Sequence, residues 1–181
     1  VLVLFVLFLY SKTAWSIGNC SGTYSADVLN ERHNCAGGTE ETPETLTVQA
    51  GVEIKFGNNG EKTVLLRGDQ VPDDDNVKIE NYGTITGKNY TVHADGISNL
   101  LINNYSTGNI QADVSSTIYL TDEESGDDGV GGIRINNYGT IQADTYGAIY
   151  NDETTTGDIY IHNEGTIRTN TQTVNGCNNG S

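Results

Sequence analysis

The chain has 181 residues, of which 24 are Asp or Glu and 9 are Lys or Arg, giving a formal charge of −15 at neutral pH. That balance excludes the usual partners of a basic surface, nucleic acid and anionic membranes, because both need a positive patch. An apolar fraction of 35% with 22 glycines supports one modest core and favours turns and short strands over helices.

Residues 1–16 read as a signal peptide. Val1 to Tyr10 form an apolar run too short to span a membrane but suited to a signal core. Ala14 and Ser16 supply the small residues a signal peptidase reads, so cleavage is expected after Ser16. Neither Met nor a basic stretch precedes Val1, and the sequence is therefore expected to begin within that signal. Residues 17–45 show no repeat and read as an N-terminal cap, covering a strand edge that would otherwise be open. This segment carries Cys20 and Cys35, which enclose 14 residues. In an oxidising compartment the two are expected to pair, closing a loop worth ~3 kcal/mol. Cys177 is left over, near the end of the sequence.

Period-two alternation begins at Leu46-Thr-Val48 and runs through Val52-Glu-Ile54-Lys-Phe56 and Thr63-Val-Leu-Leu66, which marks short strands. From Val77 a pattern recurs, first as Val77-Lys-Ile-Glu-Asn81-Tyr-Gly-Thr-Ile85. It returns as Ile133-Arg-Ile-Asn-Asn137-Tyr-Gly-Thr-Ile141 and Ile159-Tyr-Ile-His-Asn163-Glu-Gly-Thr-Ile167. A stretched copy runs from Leu100 through Asn104 and Tyr105 to Ile110. Ile110 to Tyr119 then matches Ile141 to Tyr150 position for position.

Each repeat offers three apolar stations. The first holds Val77/Ile79, Ile102, Ile133/Ile135 and Ile159/Ile161; the second holds Ile85, Ile110, Ile141 and Ile167; the third holds Ile97, Ile118 and Ile149. Three strands per repeat with inward β-branched residues predict an all-β fold, a right-handed parallel β-helix over residues 46–170. A β-sandwich also uses short strands but does not require near-identical residues at matching stations. Residues 171–181 start another rung and stop, which suggests a truncated end.

Within the repeat, Asn81, Asn104, Asn137 and Asn163 form one column. They are expected to act as a structural turn ladder, with amides bonding from rung to rung and a tolerance for left-handed backbone. Gly83, Gly139 and Gly165 follow as permissive turn residues. Tyr82, Tyr105 and Tyr138 make a neighbouring stripe, broken by Glu164. Such a stripe can stack sugars, but packing on itself is the commoner use. Asp113 and Asp144 recur at one station, and an Asx-turn accounts for them without catalysis.

Insertions concentrate at one corner of the repeat and are acidic: Asp73-Asp74-Asp75, then Asp122, Glu123 and Glu124 with Asp127 and Asp128. Variable loops on one face often mark a binding face. Both acidic runs offer hard oxygen ligands for Ca²⁺, Asp122, Glu123, Glu124, Asp127 and Asp128 above all, although they match neither an EF-hand nor the glycine-rich calcium nonapeptide; a solvated acidic surface is the plainer account. The cysteines lack CxxC spacing and the histidines are scattered, so no zinc site is read, and no catalytic residue or cofactor motif is assigned.

A signal segment followed by these Asn-x-Gly-Thr-Ile repeats resembles the passenger region of Gram-negative autotransporters, the type V secreted proteins. The resemblance covers the signal and residues 46–170. It implies export and translocation by a C-terminal β-barrel that lies outside this sequence, with the passenger at the cell surface, on the outer membrane or outside the cell. The cysteine pair departs from the family, whose passengers tend to be cysteine-poor. The expected function is a non-enzymatic adhesin or display stalk that contacts a host or surface ligand, protein or glycan, with the acidic corner as the contact candidate. A secreted pectate-lyase-like polysaccharide enzyme and a surface-layer or filament component stand as alternatives.

Overall fold

A computed structural model describes residues 16–29, 31–35, 37–57, 62–67, 76–97, 99–121, 132–152 and 158–170. Among these residues there are eighteen strands and no helix. They run as six successive turns of three. The first turn holds β1 (Ser16–Asn19), β2 (Gly22–Tyr24) and β3 (Val28–Leu29). The second holds β4 (Glu31–Cys35), β5 (Glu44–Val48) and β6 (Glu53–Phe56). The third holds β7 (Val64–Arg67), β8 (Asn76–Asn81) and β9 (Thr84–Gly87). The fourth holds β10 (Val92–Asp95), β11 (Asn99–Asn104) and β12 (Asn109–Ala112). The fifth holds β13 (Ile118–Thr121), β14 (Ile133–Asn137) and β15 (Thr140–Ala143), and the sixth holds β16 (Ile149–Asn151), β17 (Ile159–Asn163) and β18 (Thr166–Thr169).

Every third strand pairs in parallel, so three six-stranded sheets form: β1-β4-β7-β10-β13-β16, β2-β5-β8-β11-β14-β17 and β3-β6-β9-β12-β15-β18. They are called here the first, second and third sheets. Three parallel sheets wound from consecutive strands make a β-solenoid.

Its core is columns of aliphatic side chains. In the second sheet Leu46, Ile79, Ile102, Ile135 and Ile161 are in register. In the third sheet the column is Val28, Ile54, Ile85, Ile110, Ile141 and Ile167. From Leu46 to Ile135 and from Ile54 to Ile141 these side chains are fully buried. Burial of each contributes ~1.5–3 kcal/mol, and the β-branched shape suits a pleated surface.

The third station differs from the sequence reading. Ile118 and Ile149 pair, but their partner in the turn before is Val92 and not Ile97, and Val92 in turn pairs with Val64. Threonines ahead of the strands set this register. Thr91 Oγ1 donates to the Gln111 carbonyl (2.5 Å), Thr63 Oγ1 donates to the Thr86 carbonyl (2.9 Å), and Thr117 Oγ1 does the same to the Gln142 carbonyl. Ile97 is buried just past Gly96, whose left-handed φ of 67° turns the chain there.

Coiling also begins ahead of Leu46. The segment read as a cap, residues 17–45, carries most of β1, all of β2 to β4 and the start of β5, all of which join the three sheets. It escaped the repeat pattern because its inward stations hold other residues: His33 pairs with Val64, and Cys35 pairs with Leu66. Cys20 and Cys35 form a buried disulfide that ties the end of β1 to β4 in the adjacent turn. Residues 1–15 and 171–181, with the signal segment and Cys177, lie outside the described residues, apart from Ser16.

Candidate functional site

The Asn column is a hydrogen-bonded ladder. Asn81, Asn104, Asn137 and Asn163 are the last residues of β8, β11, β14 and β17 and stand in register. Asn81 Nδ2 donates to Asn104 Oδ1 (2.8 Å), Asn104 Nδ2 to Asn137 Oδ1 (2.7 Å) and Asn137 Nδ2 to Asn163 Oδ1 (2.7 Å). Asn104 Nδ2 also donates to the Thr140 carbonyl at 3.0 Å, and Asn137 Nδ2 to the Thr166 carbonyl at 3.2 Å. Both amide hydrogens of these residues are thus used within the coil. Asn81, Asn104 and Asn137 are fully buried, whereas Asn163 is exposed. Val48 occupies the rung before Asn81, and Asn81 Oδ1 is buried without a hydrogen-bond donor among the described residues.

The glycines have a different reason from the one the sequence suggested. Gly83, Gly139 and Gly165 are not among the positive-φ glycines, in contrast to Gly51 (φ 78°) and Gly96 (φ 67°). A Cβ at Gly139 would collide with the carbonyl oxygens of Gly108 and Tyr105, and one at Gly83 with those of Val52 and Gln49. A Cβ at Gly165 would collide with the Gly139 carbonyl oxygen. Glycine is required here because successive turns approach backbone to backbone. Gly108 takes this place in the stretched copy: its carbonyl accepts from Thr140 N (2.9 Å), as that of Gly83 accepts from Asn109 N (2.8 Å).

On the outer face of the second sheet, Glu80 is buried beneath three donors. Tyr105 Oη donates to Glu80 Oε2 at 2.6 Å, Asn103 Nδ2 donates to Oε1 at 3.2 Å, and Lys78 Nζ pairs with Oε1. Burial acts to raise the Glu80 pKa, but hydrogen bonds from Lys78, Tyr105 and Asn103 together outweigh it and hold the carboxyl below its ordinary value. The same bond to Glu80 pushes the Tyr105 phenol upward. Tyr105 stacks flat on Tyr82, with centroids 4.0 Å apart and planes 4° apart, while Tyr138 meets His162 edge-on. The tyrosine stripe of the sequence therefore closes on its neighbours.

The acidic residues Asp122, Glu123, Glu124, Asp127 and Asp128, and likewise Asp73 to Asp75, lie outside the described residues. Among the described residues no group of three or more His, Cys, Asp or Glu side chains is placed to hold a metal. Asp144 Oδ1 accepts from Asn170 Nδ2 at 2.6 Å, a rung-to-rung contact like the others.

An open site does exist at the corner between the third and first sheets. It is a groove of about 470 Å³ lined by Asn89, Tyr90, Val114, Ser115, Ser116, Tyr119, Tyr146 and Tyr150. Its shape follows from the register. Val92, Ile118 and Ile149 are aligned, so the corner positions ahead of them stack as Asn89-Tyr90, Ser115-Ser116 and Tyr146-Gly147. Two serines thus sit in the middle turn, between turns whose corners carry tyrosine, and their small side chains leave a gap.

One wall is an aromatic stack. Tyr90 and Tyr119 have centroids 4.5 Å apart, and Tyr119 and Tyr150 5.5 Å. Tyr119 Oη is fixed by Asp152 Oδ2 at 3.1 Å. Tyr146 and Tyr150 are 56% and 43% exposed and present ring surface to the opening. None of the described lining residues is charged, in a chain of strong net charge. Sequence reasoning passed over this site, although the repeated pairs Ile118-Tyr119 and Ile149-Tyr150 carried its signal.

Comparison with known proteins finds no match: no family model, no curated protein and no solved structure corresponds to the chain.

Two outcomes test this geometry. Gly139→Ala should cost roughly 1–3 kcal/mol in urea unfolding, since the new methyl meets fixed carbonyls. Gly57→Ala, where an added Cβ meets nothing within 4 Å, should stay within about 0.5 kcal/mol of the parent. For Glu80 the folded pKa is depressed, so its stabilisation is present above the unfolded carboxyl range (~4.3) and is lost as pH falls through the folded value. Glu80→Gln should therefore melt lower than the parent at about pH 7, and the gap should close near about pH 3. A gap independent of pH would contradict the assignment.

Proposed function

We propose that this chain is part of an exported bacterial surface protein whose coil acts as a display stalk and contact surface, without catalysis. The observation that carries this reading is how the side chains are used. From β8 onward, inward stations repeat aliphatic residues, and from the fourth turn the outer faces carry polar ladders that bond to the next turn. Gln142 Nε2 donates to Gln111 Oε1 at 2.9 Å, Arg168 Nη2 donates to Gln142 Oε1 at 2.6 Å, and Asn136 Nδ2 donates to Asn103 Oδ1 at 2.8 Å. Side chains committed to stacking suit a stiff spacer, because each turn is held by its neighbours.

The apolar N-terminal segment and the buried cysteine pair support export to an oxidising space. The resemblance of the repeats to autotransporter passengers supports display at a Gram-negative cell surface, carried there by a translocator barrel encoded beyond this sequence. The contact partner on this reading is a host or surface molecule.

The test joins display to contact. Antibody against the chain should label intact source cells, protease treatment of those cells should remove the label, and beads coated with the chain should adhere to a host or abiotic surface. Label that appears only after lysis, or beads that adhere no better than uncoated ones, would overturn the reading. Release of reducing or unsaturated sugars from polysaccharide by the purified chain would replace it with the enzyme alternative.

A further inference from the structure

We infer that the corner groove between Tyr90 and Tyr146 is a binding site for a neutral saccharide. The inference names the ligand class for the contact function proposed above and rests on that reading for its biological use, though not for its chemistry. Four features carry it, beginning with shape. The tyrosine-bearing corners lie two turns apart, about 9.6 Å at the ~4.8 Å strand spacing, with Ser115 and Ser116 forming the floor between them. The volume of about 470 Å³ falls within the ~300–1,000 Å³ of small-ligand sites.

The second feature is surface chemistry. A pyranose ring has an apolar C–H face and a rim of hydroxyls. The groove offers aromatic rings at Tyr146 and Tyr150 for the face, with serine and tyrosine hydroxyls for the rim.

Charge is the third. The described lining has no charged side chain to pair with an ammonium or a carboxylate, and the −15 field of the chain repels uronates and sialylated glycans. Preorganisation is the fourth. Tyr90, Tyr119 and Tyr150 hold one another in a stack, so this wall loses little side-chain freedom when a ligand binds.

The test is saturation-transfer NMR on the full chain. Probes are neutral oligosaccharides of glucose, galactose and N-acetylglucosamine, with sialyllactose and oligogalacturonate as acidic counterparts. At least one neutral probe should receive saturation at millimolar concentration, and the acidic probes should not. Tyr146→Ser should weaken binding about tenfold. Ser115→Trp, which fills the gap while keeping every tyrosine, should abolish it. Both variants should keep the parent melting temperature, and if Ser115→Trp does not fold, Tyr146→Ser alone decides.

Transfer to no neutral probe, transfer to acidic probes only, or equal binding by parent and variants would overturn the inference. Beads that adhere equally well with Ser115→Trp would overturn it as the basis of contact while leaving the contact function standing. Groove-dependent saccharide binding by a chain whose beads do not adhere would uphold the site and overturn the contact reading instead.

Discussion

A buried carboxamide costs stability for each polar atom, nitrogen or oxygen, that finds no partner. In the column formed by Asn81, Asn104 and Asn137, the main partner for each is the same residue one turn away. That requirement ties the register of the second sheet to a chemical identity as well as to a hydrophobic pattern. A slip of one residue would reverse the faces, bringing outward residues such as Asn103 and Asn136 into the core and turning Ile102 and Ile135 out. The Gly that follows permits the close approach that keeps the Asn amides within 2.8 Å, and the Ile after it fills the next sheet. Asn, Gly and Ile are thus three parts of one constraint on the spacing of turns.

Fixed register is also what shapes the corners. Loop lengths differ between turns, yet the strands realign after each one. The stretched copy absorbs its extra residues in a turn closed by Gly108 N to the Tyr105 carbonyl at 2.7 Å, and β12 still pairs in register with β9 and β15. A corner residue is therefore placed over its counterpart in neighbouring turns. Where the stacked corner pairs are Asn89-Tyr90, Ser115-Ser116 and Tyr146-Gly147, the two serines form the floor of a groove with tyrosine in the turns on either side. Scaffold and site follow from the same rule, like over like, with the site where the likeness breaks.

The three-stranded turn was legible in the sequence because Ile recurs at the second and first stations with nothing to imitate it. The third station misled because Val92 and Ile97 are both buried, and only the threonine hydroxyl bonds tell which is in the strand. The first turns were hidden because His33 and Cys35 stand at inward stations that later hold aliphatics. The glycines were seen for the wrong reason, since a collision with a carbonyl one turn away leaves no trace in local spacing. The groove was missed because its tyrosines come from separate turns and from two kinds of position, corner and strand. Alternation alone would have placed Tyr119 and Tyr150 outward and adjacent, one step after the paired Ile118 and Ile149.

An acidic, polar chain folds here because its polar residues bond along the coil axis while the aliphatic columns exclude water. The claim that the buried amide ladder holds the turns in place is tested most directly by equilibrium unfolding of Asn104→Ala beside Asn163→Ala. Asn104 is buried between two partners, so its loss leaves Asn81 Nδ2 and Asn137 Oδ1 each short of a bond and should cost roughly 2–5 kcal/mol. Asn163 is exposed and accepts from one side, and its loss should cost less than about 1 kcal/mol. Equal, small losses at the two positions would contradict the account.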